Sequence, residues 1–131
     1  MGEPLTHPDL PAMIRMANAR GFRSVITTNG TLLQKQQDML LASPGLHKVN
    51  VSLHAFEAND LEVPFEAYLS DCFAFGKAAE GKVLTVYRLW NNGGQNEKNR
   101  EILAAMERYF PARFLYLPSP AYTMFREFLS S

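Results

Sequence analysis

The chain has 131 residues, 47% apolar and 20% charged, with 13 basic and 13 acidic side chains and a formal net charge of zero. That is one domain's length, enough for a real core, and the balanced charge gives no electrostatic footprint for nucleic acid and no polybasic patch for a membrane. No apolar run is long enough to span a bilayer. The single cysteine, Cys72, excludes an internal disulfide or an all-cysteine metal site drawn from these residues, and a cytoplasmic setting is expected.

In chain order, Asp9 can cap a helix with Pro11 in its first turn, and Gly21 can end it, with Leu10, Ile14 and Ala17 on one face. "RSVITTNG" is a short β-branched run stopped by Asn29-Gly30, so it reads as a strand and a tight loop. A helix restarts at Thr31 and breaks at Pro44-Gly45, and "HKVNVSLHAF" is a second strand. In "PFEAYLSDCFAFGKAAEG", Phe65, Tyr68, Leu69, Cys72, Phe73, Gly76 and Ala79 trace one apolar stripe at helical spacing. "KVLTVYRLW" is a third strand and "NNGGQ" a loop. A further helix, "NEKNREILAAMERYF", turns Ile102, Leu103, Met106 and Phe110 inward. "ARFLYLP" reads as a fourth strand and "YTMFREFLSS" as a short helix.

Strands alternating with single amphipathic helices define an α/β fold with parallel pairing and right-handed crossovers. Ligands of such folds sit beyond the carboxyl ends of the strands, and those ends here read "GEP", "TTNG", "NVSLHAF" and "VYRLWNN". In the second strand Val49, Val51 and Leu53 alternate with Asn50, Ser52 and His54. A strand covered by helices on both faces reads as continuously apolar, so one face is expected to line a cavity, although a face turned to solvent gives the same pattern.

Taken together, "MGEPLTHPDLPAMIRMANARGFRSVITTNGTLL" resembles the segment of radical S-adenosylmethionine (radical SAM) enzymes that begins at their "GGEPL" motif, with Met1 in place of the first glycine. "VNVSLHAF" and "YRLWN" are similar to that family's next two strands. The resemblance implies a fragment of a partial (β/α)6 TIM-type barrel, with about four parallel strands and outer helices. Residues 1–131 would then be a single incomplete domain lacking the first βα unit and the second strand. It also implies that Gly2, Glu3 and Pro4 lie at the amino group of the SAM methionine, with Thr28 and Asn29 near the methionine or ribose. Ser52 and Arg88 would then contact SAM or substrate, and His54 and Asn91 could face substrate.

The family holds a [4Fe-4S] cluster through a CxxxCxxC loop, and one cysteine cannot supply three thiolates. The full-length enzyme is therefore expected to use SAM and the cluster on a small-molecule or peptide substrate, while this chain alone binds no cluster and carries no catalytic or metal-ligating residue of its own. The strand at 23–28 is expected as an open sheet edge, with Ile26 exposed, through which two copies pair as a homodimer. Two other readings stay open: a non-catalytic α/β ligand-binding or interaction domain, and a phosphate-binding barrel fragment.

Overall fold

A computed structural model describes residues 3–53, 65–90, 96–110, 114–118 and 122–127. After a 3-10 turn at Pro4–Thr6, the elements are α1 (Leu10–Ala19), β1 (Ser24–Thr28), α2 (Leu33–Ala42), β2 (Leu46–Ser52), α3 (Phe65–Ala78), β3 (Leu84–Trp90), α4 (Asn96–Tyr109), β4 (Phe114–Pro118) and β5 (Tyr122–Glu127). The five strands form one sheet in the order β1-β2-β3-β5-β4. β1, β2 and β3 pair in parallel, whereas β5 pairs antiparallel with both β3 and β4. No helix among the described residues is long and apolar enough to cross a membrane.

The α/β alternation is present, but the parallel part of the sheet has three strands rather than four. The expected fourth strand, β4, is separated from β3 by β5. The expected C-terminal helix is replaced by β5 over its described part, Tyr122–Glu127. Tyr122, Thr123 and Phe125 favour a pleated surface, and two strand neighbours bond its backbone on both sides. A short terminal helix has no such support, because isolated short helices are marginal in water.

The first helix shows which sequence signals held. Pro11 lies in its first turn, and Leu10 and Ile14 are buried. At its end Gly21 has φ 83°; Gly21 N–H donates to Asn18 O at 3.0 Å and Phe22 N–H to Ala17 O at 2.9 Å. This is the paired closure of a left-handed glycine cap. Asp9 occupies the N-cap, yet its side chain makes no capping bond. Its backbone, at φ −93° and ψ 5°, lacks the extended form that folds a carboxylate back over the first turn. Thr31 does not open α2 either. Its N–H and hydroxyl both donate to Asn29 Oδ1, at 3.0 and 2.8 Å, which holds Thr31 in the turn and delays the helix to Leu33.

Register sorts the parallel strands into two faces. Ile26, Thr28, Val49, Val51, Thr85 and Tyr87 share the face that carries the helices. Of the α3 stripe, Tyr68, Leu69, Cys72, Phe73, Gly76 and Ala79 are buried and Phe65 half-buried, with Phe75 buried as well. Phe73 meets Tyr87 edge-on at 5.1 Å and Phe110 at 6.0 Å, and the Tyr87 hydroxyl donates to Cys72 O at 2.8 Å. Ile102, Met106 and Phe110 of the α4 stripe are buried. The opposite face presents Val25, Thr27, Lys48, Asn50, Ser52, Leu84, Val86 and Arg88. β1 does form an edge of the sheet. Ile26, expected to be exposed there, is instead buried at 7% because it faces the helices, and its neighbour Val25 is the exposed residue at 51%.

The loop after β1 turns on Gly30, at φ 85°. A Cβ there would lie 2.7 Å from Cys72 Sγ and 3.1 Å from Val51 Cγ1. Gly30→Ala therefore combines a left-handed backbone with overpacking, and a loss of about 2–4 kcal/mol is expected in urea unfolding. Part of that loss should return in the Gly30→Ala/Cys72→Ala double variant. Equal losses in the single and double variants would show that Cys72 is not the obstacle.

Candidate functional site

The carboxyl ends of the three parallel strands bring together most of the residues singled out in the sequence. Ser52 is in register with Arg88, Thr28 is in register with Val51, and the Asn29-Gly30 loop follows directly. Glu3 reaches this end from the N-terminal segment. Gly2, His54 and Asn91 lie outside the described residues.

The side chains that gather there have different jobs. Glu3 Oε2 accepts from Leu5 N–H at 2.9 Å and from the Thr28 hydroxyl at 2.7 Å, and Oε1 accepts from Asn29 N–H at 2.7 Å. The carbonyl of Glu3 accepts from Thr6 N–H at 3.1 Å and the Thr6 hydroxyl at 2.7 Å. A carboxylate has about four acceptor positions and a carbonyl two. Glu3 therefore spends nearly all its acceptor capacity inside the chain, and it works as a clasp between the N-terminal segment and β1. Pro4 sits inside the 3-10 turn, and its carbonyl accepts from His7 N–H at 3.0 Å.

Thr28 belongs to the same clasp. It is 2% exposed, and its hydroxyl, besides bonding Glu3, accepts from Gly30 N–H at 3.1 Å. Asn29 is held through its backbone N–H by Glu3, through its carbonyl by the Tyr68 hydroxyl at 2.7 Å, and through Oδ1 by Thr31. Ser52 and Arg88 stand on the other face of the sheet, half-buried and side by side. The pair brings a hydroxyl beside a guanidinium fork, a combination whose chemistry suits a carboxylate or sugar hydroxyl.

Tyr68 did not stand out in the sequence, because it lies on the apolar stripe. Its ring packs as the stripe implies, while its hydroxyl donates to Asn29 O and sits 3.4 Å from Ser52 O. A tyrosine facing two strand ends was the available signal. Cys72 packs beneath the loop, with its thiol 3.7 Å from Gly30 O. Burial pushes both groups above their ordinary values of 10.0 and 9.0, and for Tyr68 the neighbouring Cys72 adds to the rise.

Among the described residues no group of three or more His, Cys, Asp or Glu side chains is placed to hold a metal. A groove of about 510 Å³ lies between α3 and α4, lined by Phe65, Glu66, Ser70, Glu101, Arg108 and Tyr109 among others. It lies on the helix layer, across the sheet from Ser52 and Arg88.

An α/β unit with polar side chains gathered beyond its parallel strands defines a ligand-site architecture. No family model matches the chain. Its curated homologues are radical SAM enzymes. It is 48% identical over 58 residues to the GTP 3′,8-cyclase of Chlorobaculum tepidum, covering 43% of this chain and 17% of that protein. It is 43% identical over 60 residues to the Fe-coproporphyrin III synthase of Methanosarcina barkeri, covering 45% and 15%. It is 39% identical over 57 residues to the AdoMet-dependent heme synthase of the same organism, covering 44% and 16%. The matched stretch thus spans about a sixth of the length of these relatives.

The buried hydroxyl and thiol predict an alkaline weakness. Both groups keep their protons in the folded state to higher pH than in the unfolded chain, so their contribution to stability is complete below the unfolded values and declines as pH rises through them. Unfolding free energy should fall from about pH 8.5 upward, by up to about 1.4 kcal/mol per pH unit for each group. Urea unfolding at pH 7, 9 and 10 checks this, and Cys72→Ala should flatten the decline. An unchanged slope in that variant would remove Cys72 from the account.

Proposed function

We propose that this chain is part of a radical SAM enzyme and that it contributes the side of the SAM site built on three adjacent strand ends. The observation that supports this most directly is the pairing of Ser52 with Arg88 beside the Glu3-anchored Thr28-Asn29 loop, in a chain whose homologues belong to that family. SAM is the group these residues suit. Arg88 meets the methionine carboxylate or substrate, Ser52 bonds a carboxylate or ribose oxygen, and Gly2 lets backbone approach the amino group. Glu3 and Thr28 act on SAM indirectly, by fixing the loop that carries Asn29. In such an enzyme bound SAM supplies the radical chemistry, and the protein's share is orientation and shielding.

The cluster does not suit these residues. The one cysteine is fully buried under Gly30, and a [4Fe-4S] centre needs three thiolates. The thiolates come from outside these residues, and the chain by itself is inactive. The parallel strands then form an arc of the family's barrel, and the working enzyme is cytoplasmic and acts on a small molecule or peptide.

Calorimetry and NMR titration test the site. SAM should bind weakly, at best near 1 mM, or about 4 kcal/mol, shifting resonances of Ser52 and Arg88. Arg88→Ala should abolish the shifts, whereas Glu3→Gln should lower the melting temperature by several degrees, because an amide cannot accept all three bonds. Micromolar affinity, or shifts confined to the helix layer, would refute the assignment.

The same reading includes association of two copies along the β1 edge. Val25 is 51% exposed there, and the strand carries no proline or charge to block pairing. Light scattering across the micromolar range should show twice the chain mass, and Val25→Lys should return it to one. A single-chain mass throughout excludes the dimer.

A further inference from the structure

β1 leaves the sheet before β2 does. Its last pair is Thr28 with Val51, whereas β2 runs on beside β3 to Ser52 opposite Arg88. Leu53 N–H donates to Arg88 O at 3.0 Å, so the trans peptide that joins Ser52 to Leu53 turns the Ser52 carbonyl the other way, toward β1. The β1 donor two residues past Thr28 is Gly30 N–H, and it goes instead to Thr28 Oγ1, at 3.1 Å. Asn29 N–H is likewise taken by Glu3. The β1–β2 ladder thus stops at Thr28, short of the loop that carries Asn29 and of the strand end that carries Ser52.

Tyr68 reaches this place from α3. Its hydroxyl donates to Asn29 O at 2.7 Å and stands 3.4 Å from Ser52 O. A Cβ on Gly30 would lie 3.5 Å from the same hydroxyl, so the phenol tip is seated against the turn. The first contact is a full hydrogen bond and the second a long one. A hydroxyl has one proton, and here two carbonyl oxygens converge on it. Phenylalanine would fill the same buried space, but it would leave the two oxygens facing one another with no proton between them.

We infer that Tyr68 is a positioning residue for SAM, whose hydroxyl spans the carbonyls of Asn29 and Ser52 and so sets the separation of the two arms of the site. The Glu3 clasp ties the loop to the N-terminal segment and to Thr28. Tyr68 adds what the clasp lacks, a fixed distance from that loop to the end of β2. Its ring lies on the helix side while Ser52 and Arg88 project from the other face, so it acts through the backbone and not on the ligand. A ligand as long as SAM, bonded at both arms, depends on that spacing. The inference rests on the reading of these strand ends as a SAM site.

The test is SAM binding by the full chain, read from NMR shifts of Ser52 and Arg88 at a temperature where every variant is folded. Tyr68→Phe should weaken SAM about fivefold, the effect of one hydrogen bond. Phe73→Leu serves as a control on the same helix, because the Phe73 ring packs on Tyr87 and Phe110. It should lower the melting temperature and leave SAM affinity unchanged. In a Ser52→Ala background, Tyr68→Phe should cost less affinity than in the parent, because both substitutions act on the same arm. Unchanged affinity in Tyr68→Phe, an equal loss in Phe73→Leu, or the same penalty in both backgrounds overturns the assignment and leaves Tyr68 a core residue. If Tyr68→Phe does not fold, the parent decides: SAM should move the Tyr68 ring resonances, and a ring that stays unmoved overturns the inference. Failure of the SAM reading looks different, as a parent chain in which SAM leaves Ser52 and Arg88 unshifted.

Discussion

One carboxylate organises this molecule's polar end. Glu3 lies far from β1 in sequence, yet it takes hydrogen bonds from Leu5, Thr28 and Asn29 at 2.7–2.9 Å. Bonds to an ionised acceptor are short and about twice as strong as neutral ones, and two of these donors are backbone N–H groups at a strand end and a turn. From the other side Tyr68 fixes the carbonyl of Asn29. The loop is therefore held at donor and acceptor alike, by an N-terminal segment and by α3. Gly30 can then pass within contact distance of Cys72 and Val51, an approach no side chain would allow.

That clasp engages side chains on one face of the strand ends only. Thr28 and Val51 turn toward the helices, whereas Ser52, Arg88 and Asn50 turn away. The polar residues alternating through β2 thus have a physical reason. One set of side chains completes the core and anchors the loop, and the other faces the side that carries none of the described helices. Burial on that second face is graded, from exposed Val25 and Thr27 at the β1 edge to buried Asn50 and Val86 in the middle.

Much of this was legible in the sequence, and the failures have identifiable causes. The α3 stripe, the inward side of α4, the Asn29-Gly30 stop and the three parallel strands follow from periodicity and glycine placement, which are local properties. The residues misjudged were those whose partners are distant or whose local choices compete. Asp9 and Thr31 carry helix-start chemistry, but their backbones are committed to turns. Tyr122–Glu127 is a strand because β3 and β4 flank it, a fact outside any window that contains it. Ile26 and Val25 look alike in sequence, and only the register decides which one meets the helices.

Glu3 is the most instructive case. A glutamate in "GEP" suggests a carboxylate aimed at a ligand's ammonium group, and sequence alone cannot show that three donors of the chain already occupy it. The distinction changes what a substitution means. If Glu3 contacted the ligand directly, replacing it with glutamine would lower affinity and leave folding nearly untouched. A clasp responds the other way: an amide places a donor where a backbone N–H or the Thr28 hydroxyl needs an acceptor, so the loop loosens before any ligand arrives. Affinity then falls because the binding-competent loop is less populated, and the fall follows that population rather than a lost contact.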